Sequence, residues 1–371
     1  MTTVGVPREV KTDEHRVAIT PDGVHEMVTH GVTVIVQSGA GDDSSLTDDD
    51  YREVGAEILP GAEEVWARAG IVMKVKEPQE SEFAFLRPDL TLFTYLHLAA
   101  YPAVADALLG AGTTGVAYET VQLANGALPL LAPMSEVAGR MAPQVGAHFL
   151  ERRPGGRGIL MGGAPGVRPA RVVVLGAGNV GWNAAWIAQG MEAEVLLLDK
   201  NLDRLRWVDQ IHKGRIMTLA SNGAAVARAV ADADLVIGAV LLPGGRAPQL
   251  VTEAMLKTMK PRSVIVDAAI DQGGCVEGIT ETTHTDPVYE RFGVLHYAVG
   301  NVPAAVPNTS TYALTNATLP YAVELATRGV RAAVETDPAL ALGINTLAGQ
   351  VPNPAVAEAL GRDAVELDRL W

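Results

Sequence analysis

The sequence predicts an α/β protein of two doubly wound parallel-sheet domains separated by a cleft. Short apolar strands alternate with helical segments, the alternation occurs in two separate runs, and 371 residues exceed what one ordinary core encloses. Apolar residues make up 48 %, enough for two cores, and 19 % charged residues are too few for a disordered chain.

The first run opens with strand Val4–Val6. Thr20-Pro21-Asp22 supplies an N-cap with proline at the first helical position, and Gly31 closes that helix. Strand Thr33–Gln37, a helix capped by Thr47 and a helix over Ala62–Ala69 follow. Ile71–Val75, Thr91–Tyr95 and Thr114–Tyr118 are further strands, each preceded by a turn or helix, which pairs them in parallel. A long helix is expected from Ser135 to Arg152, then a Gly/Pro-rich protruding turn or hairpin from Pro154 to Pro169. The second run, Arg171 to about Val302, holds strands Val172–Leu175, Glu194–Leu198, Leu235–Val240, Val264–Asp267 and Val294–Val299. Another long helix begins near Thr309 and passes Glu324, and the tail from about Pro338 reads as irregular and short-helical.

Charge and cysteine usage exclude several classes. Lys and Arg number 29 against 43 Asp and Glu, a net charge of −14 without a basic stripe, so nucleic acid is not an expected partner. The single Cys275 rules out an internal disulfide and fits a reducing compartment. It reads either as a small buried hydrophobe or as a modifiable thiol near a site. Met1 to Lys11 lacks the apolar core of a signal peptide. Leu98 to Tyr118 imitates a membrane span but contains Pro102, Asp106, Gly110 and Gly112, and reads as a helix followed by a strand. A cytoplasmic protein without a membrane partner is expected.

Gly176-Ala-Gly178-Asn-Val-Gly181 sets G-x-G-x-x-G directly after an apolar strand and before a helical segment, Trp182 to Met191. The glycines allow a tight turn, close approach of a pyrophosphate and close helix–strand packing, and the helix N-terminus offers N–H groups to phosphate. Asp199 follows the next strand, 18 residues after Gly181. A carboxylate there accepts hydrogen bonds from both ribose hydroxyls and repels a 2′-phosphate, which selects NAD in a Rossmann domain. Lys200 and Arg204 pull the other way, since either can meet a 2′-phosphate.

Ligands of doubly wound folds bind beyond the carboxyl ends of strands. Lys76, His97, Asp271 and Asn301 all lie just past predicted strand ends. Each has a second reading: Lys76 in a surface turn, His97 as a satisfied core histidine, Asp271 as a cap on the Gln272-Gly-Gly turn, and Arg16 as one more exposed charge.

Arg16-Val-Ala-Ile-Thr-Pro21, Lys74-Val-Lys-Glu-Pro78, Thr94-Tyr-Leu-His97-Leu98 and Ala132-Pro-Met-Ser-Glu-Val-Ala-Gly-Arg140 carry a resemblance, as do Ala269-Ile-Asp-Gln-Gly-Gly274 and Thr309-Ser-Thr-Tyr-Ala-Leu-Thr-Asn316. Collinear from Val4 to about Ala348, they resemble the alanine dehydrogenase branch of the alanine dehydrogenase/pyridine nucleotide transhydrogenase family. The resemblance implies NAD-dependent oxidative deamination of L-alanine to pyruvate and ammonia, and the reverse. It implies that Arg16 clamps the substrate carboxylate, Lys76 hydrogen-bonds the substrate oxygen, and His97 is the general acid/base. Asp271 positions or deprotonates the attacking water or ammonia. Ser135, Asn179, Val180, Asp199, Arg204, Ser221, Val240, Leu241, Asn301 and Val302 line the NAD site, with Gly176, Gly178 and Gly181 beneath the phosphates and Asp271 alongside.

The same resemblance implies a homohexamer. The order of elements gives a substrate domain of residues 1–129 plus 308–371 and an NAD domain of residues 130–307, with the two long helices as a hinge because each connects the domains. Three departures stand out. Val302 replaces the family's usual methionine and Ala304 its usual glycine, and Glu324 with Arg328 reads as an i,i+4 ion pair where some relatives place a Glu/His metal site. No metal is expected. The alternatives are a family member specific for glycine or glyoxylate, and a transhydrogenase-like NAD-binding module, which needs no clamp for an amino-acid carboxylate.

Overall fold

The structure, a computed structural model, describes residues 2–240 and 247–371. Fourteen strands form among them. β1 to β6 are Thr3–Val6, Thr33–Gln37, Glu57–Leu59, Ile71–Met73, Thr91–Thr94 and Thr114–Ala117. β7 to β13 are Arg171–Leu175, Glu194–Asp199, Met217–Ala220, Leu235–Gly238, Val264–Asp267, Val288–Arg291 and Val294–Tyr297, and β14 is Ile344–Thr346. The chain divides into two compact units, Met1–Met134 with Ala304–Trp371, and Ser135–Pro303.

Each unit carries one seven-stranded sheet. The first runs β14-β6-β5-β4-β1-β2-β3 and the second β12-β13-β11-β10-β7-β8-β9. All pairings are parallel except the edge pairs β14–β6 and β12–β13. Both sheets reverse direction once, between β1 and β4 in the first and between β7 and β10 in the second, the doubly wound pattern. Central strands such as Ile71–Met73, Thr91–Thr94 and Val264–Asp267 are buried throughout, because helices cover both faces of a parallel sheet.

Local chemistry fixes the helix ends. Thr20 accepts the Gly23 N–H and starts Pro21–Thr29, and Thr47 with Asp50 makes a reciprocal capping box on Asp48–Glu53. The two long helices span Ala132–Leu150 and Pro307–Arg328. An antiparallel bridge between Ala164 and Val167 closes a tight turn within the Gly/Pro-rich stretch. No described helix is long and apolar enough to cross a membrane.

Several strands end earlier than hydropathy predicts. β4 stops at Met73 and not Val75, because the Val75 N–H is taken by the Glu9 carboxylate. β5 stops at Thr94, with the Tyr95 N–H still reaching the Val75 carbonyl at 3.3 Å, and beyond it the N–H groups of Leu96 and His97 turn toward Glu119. The tail is more ordered than expected: β14 joins the first sheet beside β6. A hairpin at Phe292-Gly293, both with positive φ, adds β12 to β13 as an antiparallel edge, the backbone of a type I′ turn.

Candidate functional site

In the first unit, the segment after β1 carries Arg16, the segment after β4 carries Lys76, and the segment after β5 carries His97. These three strands are neighbours across the reversal of strand order, where connections leave in opposite directions and open a crevice. Arg16 is 2 % exposed and is not a surface charge. Its Nε and Nη2 donate to the two oxygens of Glu14 at 2.7 and 2.5 Å, and Nη1 lies 2.9 Å from the Met134 sulfur. Burial works against the guanidinium charge, but Glu14 outweighs it and holds the Arg16 pKa above its ordinary value.

Lys76 is half-buried, its carbonyl accepting the Thr94 hydroxyl at 3.0 Å and its N–H lying 3.4 Å from Glu9 Oε1. Lys74, two residues earlier, is a different case. Fully buried, its ammonium sits 2.9 Å from Glu9 and 3.0 Å from Glu82. Burial disfavours its charge, yet the two carboxylates prevail and raise its pKa. Glu9 thus ties the core ion cluster to the backbone that presents Lys76. Lys11 pairs with Glu77 and lies 4.6 Å above the Tyr101 ring, linking this segment to the turn after β5.

His97 is half-buried rather than a core histidine. Its ring stacks on Tyr95 with centroids 5.5 Å apart, and its backbone is left-handed, φ 46°. Tyr95 is anchored by its own hydroxyl, which donates to the Leu130 carbonyl at 2.6 Å.

In the second unit the glycine turn follows β7 and Ala239–Val240 follow β10, again flanking the strand reversal. Gly176 has φ 104°, and a Cβ there would meet the Ala239 carbonyl oxygen at 2.5 Å. A Cβ on Gly181 would stand 1.7 Å from the Gly176 carbonyl oxygen. Above Gly178 the nearest atom to such a carbon is Arg204 Nη1, at 3.8 Å, so this face is open. Helix Asn179–Gly190 starts here, and among the described residues no side chain caps it. Its first N–H groups suit a phosphate, so the residues fit a dinucleotide.

Asp199 ends β8. Its Oδ2 accepts the Ala177 N–H at 2.6 Å and Oδ1 the Asn201 N–H at 2.7 Å, with Arg204 Nη1 3.9 Å away. The Ser221 N–H donates to the Asp199 carbonyl at 2.9 Å. Asn179 is exposed, Ser135, Val180 and Val240 are half-buried, and Leu241 lies outside the described residues. Asp271 is exposed in a short turn after β11, Ile270–Gln272, and its Oδ1 and Glu281 Oε1 both lie beside Gly300. Asn301, next in the chain, has φ 58°, and Val302 is 5 % exposed.

Buried Asp267, its pKa pushed up by burial, accepts the N–H groups of Ala269 and Cys275 at 3.0 and 2.7 Å and so fixes the loop that carries Asp271. Cys275 is fully buried within a cluster of apolar side chains, and burial, with the Asp267 carboxylate beside it, pushes its thiol far up. Glu324 and Arg328 form their ion pair at 3.1 Å.

Sequence reading missed the acids behind these groups: Glu9, Glu14, Glu119, Asp267 and Glu281. Acids in polar segments read as surface, and Asp267 read only as the end of an apolar strand. Glu119 was within reach of the strand-end rule, since it directly follows the predicted strand Thr114–Tyr118 and lies two residues past β6.

Residues 5–138 match the family model "Alanine dehydrogenase/PNT, N-terminal domain" and residues 142–354 match "Alanine dehydrogenase/PNT, C-terminal domain". The chain is 56 % identical over 358 residues to an alanine dehydrogenase of Mycobacterium tuberculosis, covering 96 % of each. A solved L-alanine dehydrogenase superposes with a TM-score of 0.94 at 49 % identity, over 97 % of this chain and 99 % of that one. A transhydrogenase from Sinorhizobium meliloti superposes at 0.81 with 27 % identity, over 95 % and 99 %.

Proposed function

The chain belongs to the alanine dehydrogenase/PNT family, and from that premise we infer an NAD-dependent alanine dehydrogenase, interconverting L-alanine with pyruvate and ammonia. One observation carries the assignment of roles: Arg16, Lys76 and His97 follow three neighbouring strands at the sheet's reversal point, each tied to a glutamate. The greater likeness to alanine dehydrogenases than to the transhydrogenase favours amino-acid chemistry.

Gly176, Gly178 and Gly181, with the N-terminus of Asn179–Gly190, would hold the NAD pyrophosphate, and Asp199 the adenine ribose. Bound NAD supplies the acceptor for the hydride at C2 of the amino acid. Arg16 binds the substrate carboxylate through its guanidinium, already held charged by Glu14. Lys76 donates a hydrogen bond to the carbonyl oxygen and stabilises charge developing there. His97 takes and returns the proton as water adds to the imine, and Asp271 orients that water or, in reverse, ammonia. Ser135, Asn179, Val180, Arg204, Ser221, Val240, Leu241, Asn301 and Val302 complete the cofactor site. Residues 1–129 with 308–371 serve the substrate and residues 130–307 the cofactor, in a cytoplasmic enzyme that assembles as a hexamer.

NADH oxidation followed with ammonia and a panel of glyoxylate, pyruvate and 2-oxobutyrate, beside a transhydrogenation assay, tests the function. Pyruvate should lead. Preference for glyoxylate would move the enzyme to a glycine-specific reading, and transhydrogenation alone would overturn the deamination. For the roles, His97→Ala should lower kcat roughly 10²–10⁴-fold with NADH binding near wild type. Lys76→Ala should mainly lower kcat, and Arg16→Ala should also raise the pyruvate KM.

A further inference from the structure

His97 stands at φ 46°, a region that a residue with a Cβ enters only when its surroundings hold it there. Its carbonyl accepts the Ala100 and Tyr101 N–H groups at 2.8 and 3.2 Å, and its own N–H is held by Glu119. Glu119 lies in the turn Tyr118–Thr120 that follows β6, the neighbour of β5. Its Oε1 takes the His97 N–H at 2.6 Å, and both oxygens lie 3.2 Å from the Leu96 N–H. Two consecutive N–H groups thus converge on one anion, as backbone around a left-handed residue permits. The His97 ring is held separately, by its stack on Tyr95.

A bond from N–H to carboxylate is stronger than one to a neutral acceptor. Without Glu119, two half-buried N–H groups lose their acceptor, and the return of His97 to negative φ is opposed by the Ala100 and Tyr101 N–H groups on its carbonyl, at 2.8 and 3.2 Å, and by its ring's stack on Tyr95, but no longer by an anion on its own N–H. That return is a swing of roughly 100°. It would carry the imidazole away from where the turn now presents it, while the strands beneath keep their ladders.

We infer that Glu119 is a positioning residue for the reaction, acting through His97 by fixing the left-handed turn that presents the imidazole. The inference rests on His97 being the acid/base group. Glu119 takes no proton and touches no substrate in this account. Its effect on rate exists only while residue 97 carries an imidazole.

A double-mutant cycle tests this with pyruvate, ammonia and NADH, using Glu119→Ala, Glu119→Asp, His97→Ala and the double variant. Glu119→Ala should lower kcat roughly 10- to 100-fold, the scale of a small misplacement of a reacting group, with the NADH Kd within about twofold of wild type. Glu119→Asp, which keeps the charge, should recover part of the rate. In the His97→Ala background, removing Glu119 should change kcat by less than about twofold, because residues acting as one unit are not additive. Should Glu119→Ala fail to fold, Glu119→Gln, which retains one acceptor oxygen, takes its place in the cycle. An equal loss in both backgrounds, or wild-type kcat in the Glu119 variants, would overturn the inference. Near-wild-type activity of His97→Ala alone would instead remove the acid/base reading, and this inference with it.

Discussion

Replacing Lys74 by methionine separates a buried ion cluster from its cation at almost unchanged side-chain length. Lys74, Glu9 and Glu82 have side chains only 0 %, 3 % and 4 % exposed, and the ammonium lies about equally far from each acid. Lys74→Met leaves two carboxylates facing each other in a desolvated site, the situation that costs about 3–5 kcal/mol when one partner of a buried pair is removed. For a domain of roughly 150–250 residues, at about 2–4 °C per kcal/mol, the Tm should fall by about 6–20 °C. The pH dependence carries the sign. In the wild type the Lys74 pKa is raised, so its contribution is complete below the ordinary lysine value and is lost as pH climbs through the higher folded value. Burial already holds the Glu9 pKa above its ordinary value against the pull of Lys74, and loss of the ammonium raises it further, so the variant's stability rises as pH falls more steeply than the wild type's. Scanning calorimetry from pH 8 to 5 should show the gap to wild type narrowing toward the acid end. A Tm within about 2 °C of wild type, or a gap that does not move with pH, would refute the reasoning.

Asp199→Ala should lower the NAD/NADP ratio of kcat/KM by at least roughly tenfold, since the carboxylate's repulsion of a 2′-phosphate is lost while Lys200 and Arg204 remain; an unchanged ratio places the ribose elsewhere. Gly181→Ala sets a Cβ 1.7 Å from the Gly176 carbonyl oxygen, so the turn and helix must separate, and NADH affinity by fluorescence titration should fall at least roughly tenfold; wild-type affinity would show that phosphate does not bind there. Val302→Met should shift the pyruvate/2-oxobutyrate ratio of kcat/KM toward pyruvate by roughly threefold to tenfold as the longer side chain fills apolar space, whereas parallel changes for both substrates would confine residue 302 to the cofactor.

Where one periodic signal decides an element, the sequence sufficed. The apolar runs Thr33–Gln37 and Val264–Asp267 are strands at those limits, and the glycine fingerprint sits after β7 as its spacing demands. Legibility fails where a side chain competes with the backbone ladder. Glu9 takes an N–H group that hydropathy assigns to a strand and Glu119 takes the two just past the next strand's predicted end, and those ends carry Lys76 and His97. β14 and β3, three residues each, are too short for a period to register. Of Lys74 and Lys76 in one motif, only the fold tells which is sealed between two acids. Lys76, His97, Asp271 and Asn301 were legible as strand-end residues, but of their supporting acids only Glu119 lay within that rule, because an isolated Glu gives no hint of what it folds against.

The account turns on hydride leaving C2 of L-alanine for NAD, and isotope transfer reads that directly. L-[2-²H]alanine is incubated with the enzyme and NAD in ordinary water, and the NADH is analysed by mass spectrometry. The account predicts NADH one mass unit heavier in nearly every turnover, with pyruvate and ammonia formed in equal amounts. Unlabelled NADH, or pyruvate formed without NADH, would contradict it.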